Sequence, residues 1–120
     1  MKVLLDCKIG RTGRGQTISL PRGENLHLTA SVLDENNQVQ DLSGGNVRLR
    51  IMQAESRLAE HTLTSTAQQA LLGVCEADIV LNRSIDAGTY WFDVWFTDGT
   101  GDKSRVYPAT AFVVLQSSSA

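Results

Sequence analysis

The sequence has few of the residues that build most catalytic and metal centres. It contains two cysteines, two histidines and two prolines in 120 residues. Two cysteines cannot supply a cysteine-rich zinc site or a dense disulfide framework. The 13 acidic residues outnumber the 11 basic ones, which gives a net charge of −2, whereas nucleic-acid-binding domains usually carry a basic surplus. The composition therefore argues against all three classes.

Long hydrophobic runs are also missing. The first eight residues reach the acidic Asp6 before any apolar run of signal-peptide length. No stretch approaches the roughly 18 consecutive apolar residues of a membrane span. We therefore expect a soluble protein made in the cytoplasm.

The chain is rich in apolar residues that alternate with polar ones. Hydrophobic side chains make up 42% of the sequence, and period-two alternation between turn clusters is typical of an all-β sandwich or barrel. The predicted inward positions are Val3 to Ile9, Leu26 to Val32, Val47 to Ile51, Cys75 to Leu81 and Tyr90 to Phe96, every second residue in each. A last strand is predicted from about 104 to 115, where Pro108 favours a sheet edge or a bulge.

The remaining segments complete a one-domain prediction. Residues 53–73 have a blurred pattern, which predicts a strand followed by a loop or short helical turn. The length suits one domain, which we assign to residues 1–116, followed by a polar tail over 117–120.

The segment from 86 to 92 resembles the tyrosine corner of immunoglobulin-like sandwiches. Asp86, Gly88 and Tyr90 carry this likeness, in which a tyrosine near the start of a strand bonds to upstream backbone. Phe92 stands where antibody domains have their second disulfide cysteine. This departure excludes antibody-type domains but leaves the sandwich fold intact.

A longer series of motifs is similar to the small immunoglobulin-like modules of tailed-bacteriophage virions, such as the N-terminal domain of baseplate upper proteins. The motifs lie in order at residues 22–28, 32–37, 41–49, 85–90 and 98–99. The resemblance implies an antiparallel sandwich of seven or eight strands, made in the host cytoplasm and built into the virion. It implies no catalytic site and no cofactor.

The same resemblance leaves the position in the particle open. Capsid decoration (a cement protein), a tail baseplate adaptor and part of a tail fibre all fit it. In each case the partners are other virion proteins, with the chain present in many copies or as a homo-oligomer, and neither nucleic acid nor membrane is an expected partner.

The few candidate catalytic residues do not converge. A nucleophilic site would need a cysteine or serine beside a histidine and an orienting carboxylate, but the alternation places His27 and His61 outward and Cys7 and Cys75 inward. We therefore expect no enzyme. A disulfide between Cys7 and Cys75 remains open, although cytoplasmic synthesis favours a reduced pair.

Three loops hold charged or glycine-rich clusters. The glycine spacing of 10–15 does not match a phosphate-binding loop, so we expect a flexible loop whose Arg11 and Arg14 reach an acidic neighbour. The Asn and Asp residues of the loops at 34–38 and 98–102 predict turns. Calcium binding is the alternative for these loops, although neither has EF-hand spacing.

The two tryptophans form the feature that a simple sandwich does not explain. Trp91 and Trp95 share one face of a strand whose other face carries Tyr90 and Phe92. An outer aromatic face indicates a covered surface, which predicts subunit contacts through Trp91, Trp95 and the intervening Asp93. Two alternatives remain: the segment 53–73 covers the tryptophans within the monomer, or they bind carbohydrate, with Asp93 bonding to sugar hydroxyls.

Overall fold

The computed structural model describes residues 1–53, 56–80 and 86–116. Within these ranges the chain forms eight strands and one short helix. They are β1 (Lys2–Lys8), β2 (Ile18–Pro21), β3 (Asn25–Leu33), β4 (Asn46–Gln53), β5 (Ser56–Leu63), α1 (Ala67–Leu71), β6 (Val74–Val80), β7 (Gly88–Thr97) and β8 (Lys103–Leu115).

Two packed sheets enclose one apolar core. The smaller sheet has the order β1-β3-β6 and the larger has the order β2-β8-β7-β4-β5. Both sheets contribute buried side chains to the same cluster, including Leu5 and Leu28 from the smaller and Leu49 and Phe112 from the larger. The predicted all-β immunoglobulin-like sandwich is confirmed.

Two strand pairs are parallel, in contrast to the antiparallel arrangement predicted throughout. β1 runs parallel to β3, and β2 runs parallel to β8. The reason is the route of the N-terminal segment: after β1 the chain leaves the smaller sheet and enters the larger one as β2, instead of turning back in a hairpin. The N-terminal segment therefore belongs to both sheets.

The centre of the core is aromatic. The rings of Phe92 and Tyr107 stack with their centroids 5.5 Å apart, and Phe112 meets Phe92 edge-on at 6.1 Å. Such offset and edge-on pairs add about 0.5 to 1.5 kcal/mol beyond the burial of their area. These ring contacts hold β7 against β8. They therefore also set the positions of the outward-facing side chains on these two strands.

Pro108 lies at an irregularity of β8, in agreement with the sequence prediction. Phe92 pairs with Thr110 and Val94 pairs with Tyr107, so two steps along β7 match three steps along β8. β2 pairs only with residues 112–115, so no described strand needs a hydrogen bond from the position that proline occupies. The bulge keeps Val106, Tyr107 and Pro108 buried together.

The blurred segment contains β5 followed by α1. Thr66 caps the helix: its hydroxyl accepts from the Gln69 N–H, while the Gln69 side chain accepts from the Thr66 N–H. His61 pairs with the buried Leu49 and so faces inward. The prediction that His61 faces outward is wrong, because the weak alternation of this segment did not show which side of β5 faces the core.

Some predictions lie outside the described residues. These are the inward position of Leu81 and the polar tail at 117–120. The assignment of residues 1–116 to one domain stays a prediction.

Candidate functional site

Both tryptophans of the chain lie on the outer face of the larger sheet. Trp91 is 46% exposed and Trp95 is half-buried, whereas Tyr90, Phe92 and Phe96 on the opposite side of β7 are buried. We call this outer surface the tryptophan face; its members are Arg48, Arg50, Glu60, Trp91, Asp93, Trp95, Lys103 and Arg105. Its exposed indole lies where the sequence pattern places it.

Arg50 and Asp93 form a closed ion pair in the middle of the tryptophan face. Arg50 Nε donates to Asp93 Oδ1 at 2.9 Å and its terminal nitrogen donates to Oδ2 at 2.7 Å. Asp93 is only 2% exposed, so its carboxylate is not accessible to a sugar. The hydrogen bonds that Asp93 accepts raise the pKa of the Arg50 guanidinium.

The same guanidinium also covers Trp95. The Arg50 guanidinium carbon lies 5.1 Å from the centroid of the Trp95 ring, which is cation–π geometry. The Trp95 Nε1–H is inaccessible to solvent and has no acceptor among the described residues. Contacts within the chain therefore hold Trp95 in place, and of the two tryptophans only Trp91 has a freely exposed ring.

A pocket of about 380 Å³ opens beside Trp95. Its walls include Arg48 and Arg50 from β4, Glu60 from β5 and Lys103 from β8. Arg48 pairs with Glu60 at 2.8 Å. The side chains of Lys103 and its neighbour Arg105 have no hydrogen bond or ion pair within the described residues. This end of the face therefore has an excess of positive charge.

The described side chains at the opposite end of the tryptophan face are apolar. Trp91 pairs across the sheet with Met52 on one side and Ala111 on the other. Met52 and Ala111 are partly exposed, and Val113 follows on the same side of β8. The face therefore changes along β7 from a basic end at Lys103 to an apolar end at Trp91.

The glycine-rich loop is packed against the sandwich, which corrects the prediction of a flexible loop. The Arg11 guanidinium lies 4.6 Å from the Tyr107 ring centroid and donates to the carbonyl of Asp6. The Gln16 N–H donates to the Tyr107 hydroxyl. Arg11 is therefore used within the chain, whereas the side chain of Arg14 is exposed.

Tyr90 has the hydrogen bond that defines a tyrosine corner. Its hydroxyl donates to the Asp86 carbonyl at 2.6 Å, and Gly88 between them has φ of 154°. The bond ties the start of β7 to the segment before it. It fixes the strand that carries the tryptophans.

His27 and the two cysteines lie on opposite faces of the smaller sheet. On the outer face of the smaller sheet, His27 Nδ1 lies 2.6 Å from Asp78 Oδ1 and Nε2 lies 3.3 Å from Glu76 Oε2; the hydrogen bond to Asp78 raises the pKa of His27. Cys7 and Cys75 are buried on the inner face, and burial raises the pKa of each thiol to about 12. Neither thiol is a nucleophile near neutral pH.

The two cysteines are free, as the reduced-pair prediction stated. They flank β3, with Cys7 beside Val32 and Cys75 beside Ala30. Two strand spacings separate them by at least about 9 Å, and disulfides need Cα atoms within about 7 Å. This arrangement rules out the disulfide alternative without movement of the backbone.

Neither a metal site nor a membrane helix is found in the parts of the chain that the structure describes. No group of three or more His, Cys, Asp or Glu side chains there is arranged to hold a metal ion. In the loop 98–102, Asp98 Oδ1 instead accepts from the backbone N–H groups of Thr100 and Asp102, which is ordinary turn chemistry. No helix in these ranges is long and apolar enough to cross a membrane.

Sequence reasoning found the two tryptophans and Asp93 but missed the basic side chains around them. Asp93 and Arg50 lie on different strands, and only the register between β4 and β7 brings them together. Lys103 and Arg105 reach the same face because β8 pairs with β7. The available signal was weak: charged residues occur at alternate positions of β4 and at the start of β8.

Comparison with known proteins identifies the fold. No family model and no curated protein match the chain. Among solved structures, the N-terminal domain of phage TP901-1 ORF48 has a TM-score of 0.68 at 13% identity, over 94% of this chain and 97% of that one. The resemblance to phage sandwich modules seen in the sequence is thereby confirmed at the level of the fold.

Proposed function

We propose that this chain is a non-enzymatic structural subunit of a tailed-phage particle, acting through protein contacts. The observation that carries the proposal is the fold match to the N-terminal domain of a phage protein over nearly the full length of both chains. The sequence motifs point to the same group of virion modules independently of the coordinates. Its place in the particle is either the capsid, as a decoration or cement protein, or the tail, as a baseplate or fibre adaptor.

The chemistry of the described residues supports a binding role. Both thiols are buried and protonated at neutral pH, and His27 faces solvent on the other side of the smaller sheet. Among the described residues, neither thiol shares a face of the smaller sheet with His27. The residues that stand out are instead those of a surface: an exposed indole on a sheet face where two ion pairs, Arg48–Glu60 and Arg50–Asp93, are formed.

We assign the contact surface to the tryptophan face. Trp91 is a large aromatic side chain left 46% exposed in the middle of a sheet, and tryptophan is enriched among the residues that dominate binding energy at interfaces. Asp93 is buried and Arg50 covers the ring of Trp95. We therefore assign the first contact with the partner to Trp91. Arg14 is a secondary contact candidate, and Arg11 holds the loop that presents it.

The test is incorporation of a Trp91→Ser variant into particles of the phage that encodes the chain. We expect the variant to fold normally and to be depleted from purified particles at least about tenfold, because loss of a central aromatic anchor costs about 2 kcal/mol or more. Leu4→Ser is the matched control, since Leu4 is 72% exposed on the outer face of the smaller sheet.

Three results test the assigned surface, the virion role and the position in the particle. Normal incorporation of Trp91→Ser overturns the assignment of this surface, and absence of the wild-type chain from purified particles overturns the virion role. Imaging of labelled protein on intact particles separates the capsid position from the tail position.

A further inference from the structure

The tryptophan face carries a surplus of positive charge, whereas the chain as a whole is slightly acidic. The chain carries a net charge of −2, yet the described side chains of this face include four cations, Arg48, Arg50, Lys103 and Arg105, against the two carboxylates of Glu60 and Asp93. The carboxylates are taken by Arg48 and Arg50. Lys103 and Arg105 remain as uncompensated cations within the described residues.

These two cations are fixed relative to the tryptophans by strand pairing. Arg105 pairs directly with Trp95, and Lys103 pairs with Thr97. Lys103 also lines the pocket of about 380 Å³ beside Trp95. A carboxylate entering this pocket would therefore meet Lys103 and Arg48 on opposite sides of β7, while the carboxylate of Glu60, which also lines the pocket, is already bonded to Arg48.

The other end of the face selects a different kind of group. Trp91, Met52 and Ala111 form a partly exposed apolar surface four residues along β7 from Trp95. Lys103 pairs with Thr97, which lies six residues along β7 from Trp91, and six residues of a strand span about 20 Å. A segment of a partner chain that lies along β7 would thus place an apolar side chain on Trp91 and an acidic one at Lys103.

We infer that the tryptophan face binds an acidic segment of a partner protein that also carries an apolar anchor. The apolar anchor packs on Trp91, and the carboxylates pair with Lys103 and Arg105 at the mouth of the pocket. This inference rests on the proposed function for the class of partner and adds the chemistry of the partner's surface. Complementary charge at the rim favours the encounter, and the aromatic contact supplies the affinity.

The chain offers a direct readout of this binding. Its only two tryptophans, Trp91 and Trp95, both lie on the face, so intrinsic tryptophan fluorescence reports contact there. The probe is a short synthetic peptide rich in glutamate with interspersed leucines. Its matched counterpart has lysine in place of every glutamate.

We expect the glutamate peptide to shift the tryptophan emission, with an affinity that falls as salt rises. The Lys103→Glu/Arg105→Glu variant should lose about tenfold or more of that affinity. The control variant is Lys2→Glu/Lys8→Glu, which reverses the same number of charges on β1 at the edge of the smaller sheet and should bind like the wild type.

Several outcomes overturn the inference. They are equal binding of both peptides, equal binding by wild type and Lys103→Glu/Arg105→Glu, and no binding of the glutamate peptide to the wild type. A salt-independent response to a neutral oligosaccharide would assign the face to glycans. A tryptophan emission that depends on protein concentration would assign it to a second copy of the chain. Because no particle is used, these failures are separate from failure to find the protein in virions.

Discussion

Arg50 on β4 and Asp93 on β7 share two hydrogen bonds, of 2.9 and 2.7 Å, on the outside of a sheet rather than in its core. The carboxylate is nevertheless buried, because Arg50 and the neighbouring indole cover it. This ion pair joins β4 to β7 and so holds in place the sheet surface between the exposed Trp91 and the basic pocket.

Replacing Arg50 with Ala should lower the free energy of unfolding by about 2 to 3 kcal/mol, because it leaves the Asp93 carboxylate buried without its partner. Arg48→Ala is the control, since it breaks the more exposed ion pair with Glu60 and should cost about 1 kcal/mol or less. Guanidinium unfolding of both variants measures the difference. Equal losses would show that the Arg50–Asp93 pair is no stronger than a surface contact.

The two buried thiols should make stability fall in alkaline solution. In the folded chain the pKa of each thiol is about 12, compared with an ordinary value of 9.0. The folded state therefore retains protons that the unfolded state releases, and stability present below pH 9 is lost as pH rises toward 12. The slope is about 1.4 kcal/mol per pH unit for each thiol.

Comparison of the wild type with Cys7→Ala/Cys75→Ala isolates this effect from other groups that titrate in the same range. We expect the wild type to lose stability more steeply than the variant between pH 9 and pH 11. Parallel curves for the two proteins would contradict the burial of the thiols. Both thiols should also resist labelling in native protein and react after denaturation.

Replacing Gly15 with Ala should loosen the N-terminal loop. A Cβ at this position would lie 2.4 Å from both Thr110 Oγ1 and Tyr107 Cε2, which is far inside van der Waals contact. Overpacking of this kind costs about 1 to 3 kcal/mol. Gly99→Ala is the control because its nearest neighbour lies at 3.4 Å. Thermal unfolding that ranks the two variants equally would refute the close packing of the loop.

The two histidines should titrate on opposite sides of 6.5. The hydrogen bond to Asp78 raises the pKa of His27, and burial lowers the pKa of His61. The contribution of His27 to stability is therefore complete below pH 6.5 and is lost as pH rises through its folded pKa. That of His61 is complete above pH 6.5 and is lost as pH falls.

Proton NMR of the ring signals measures both pKa values directly. An Asp78→Asn variant should lower the pKa of His27 and leave that of His61 unchanged. A shared pKa near 6.5 would contradict the surroundings of both rings in the structure.

The sequence predicted those parts of the fold that depend on local pattern. Alternation located the strands that supply Leu28, Leu49 and Phe92, and the proline rule located the irregularity at Pro108. It could not predict which strands become neighbours, because pairing depends on contacts far apart in the chain. The parallel pairs of β1 and β2, the inward turn of His61 and the meeting of Arg50 with Asp93 all depend on that pairing.

The candidate site was predictable only in its apolar half. Trp91 and Trp95 stand out as surplus aromatics on one strand, a signal visible in a single segment. The basic half combines Arg48 from β4 with Lys103 and Arg105 from β8, and it exists only once β4 and β8 flank β7. Arg11 shows the reverse case: an arginine in a glycine-rich loop looks free in sequence, yet the aromatic ring that it covers is almost a hundred residues away.

The parallel pairing of β2 with the C-terminal strand β8 has a mechanical consequence. When the segment just before β2 and the end of β8 are pulled apart, these strands are drawn in opposite directions along their length, so the ladder between Ile18–Pro21 and residues 112–115 is loaded in shear. All of its hydrogen bonds then bear force together instead of opening one at a time. Tension applied between these two points would thus be met by the whole ladder at once.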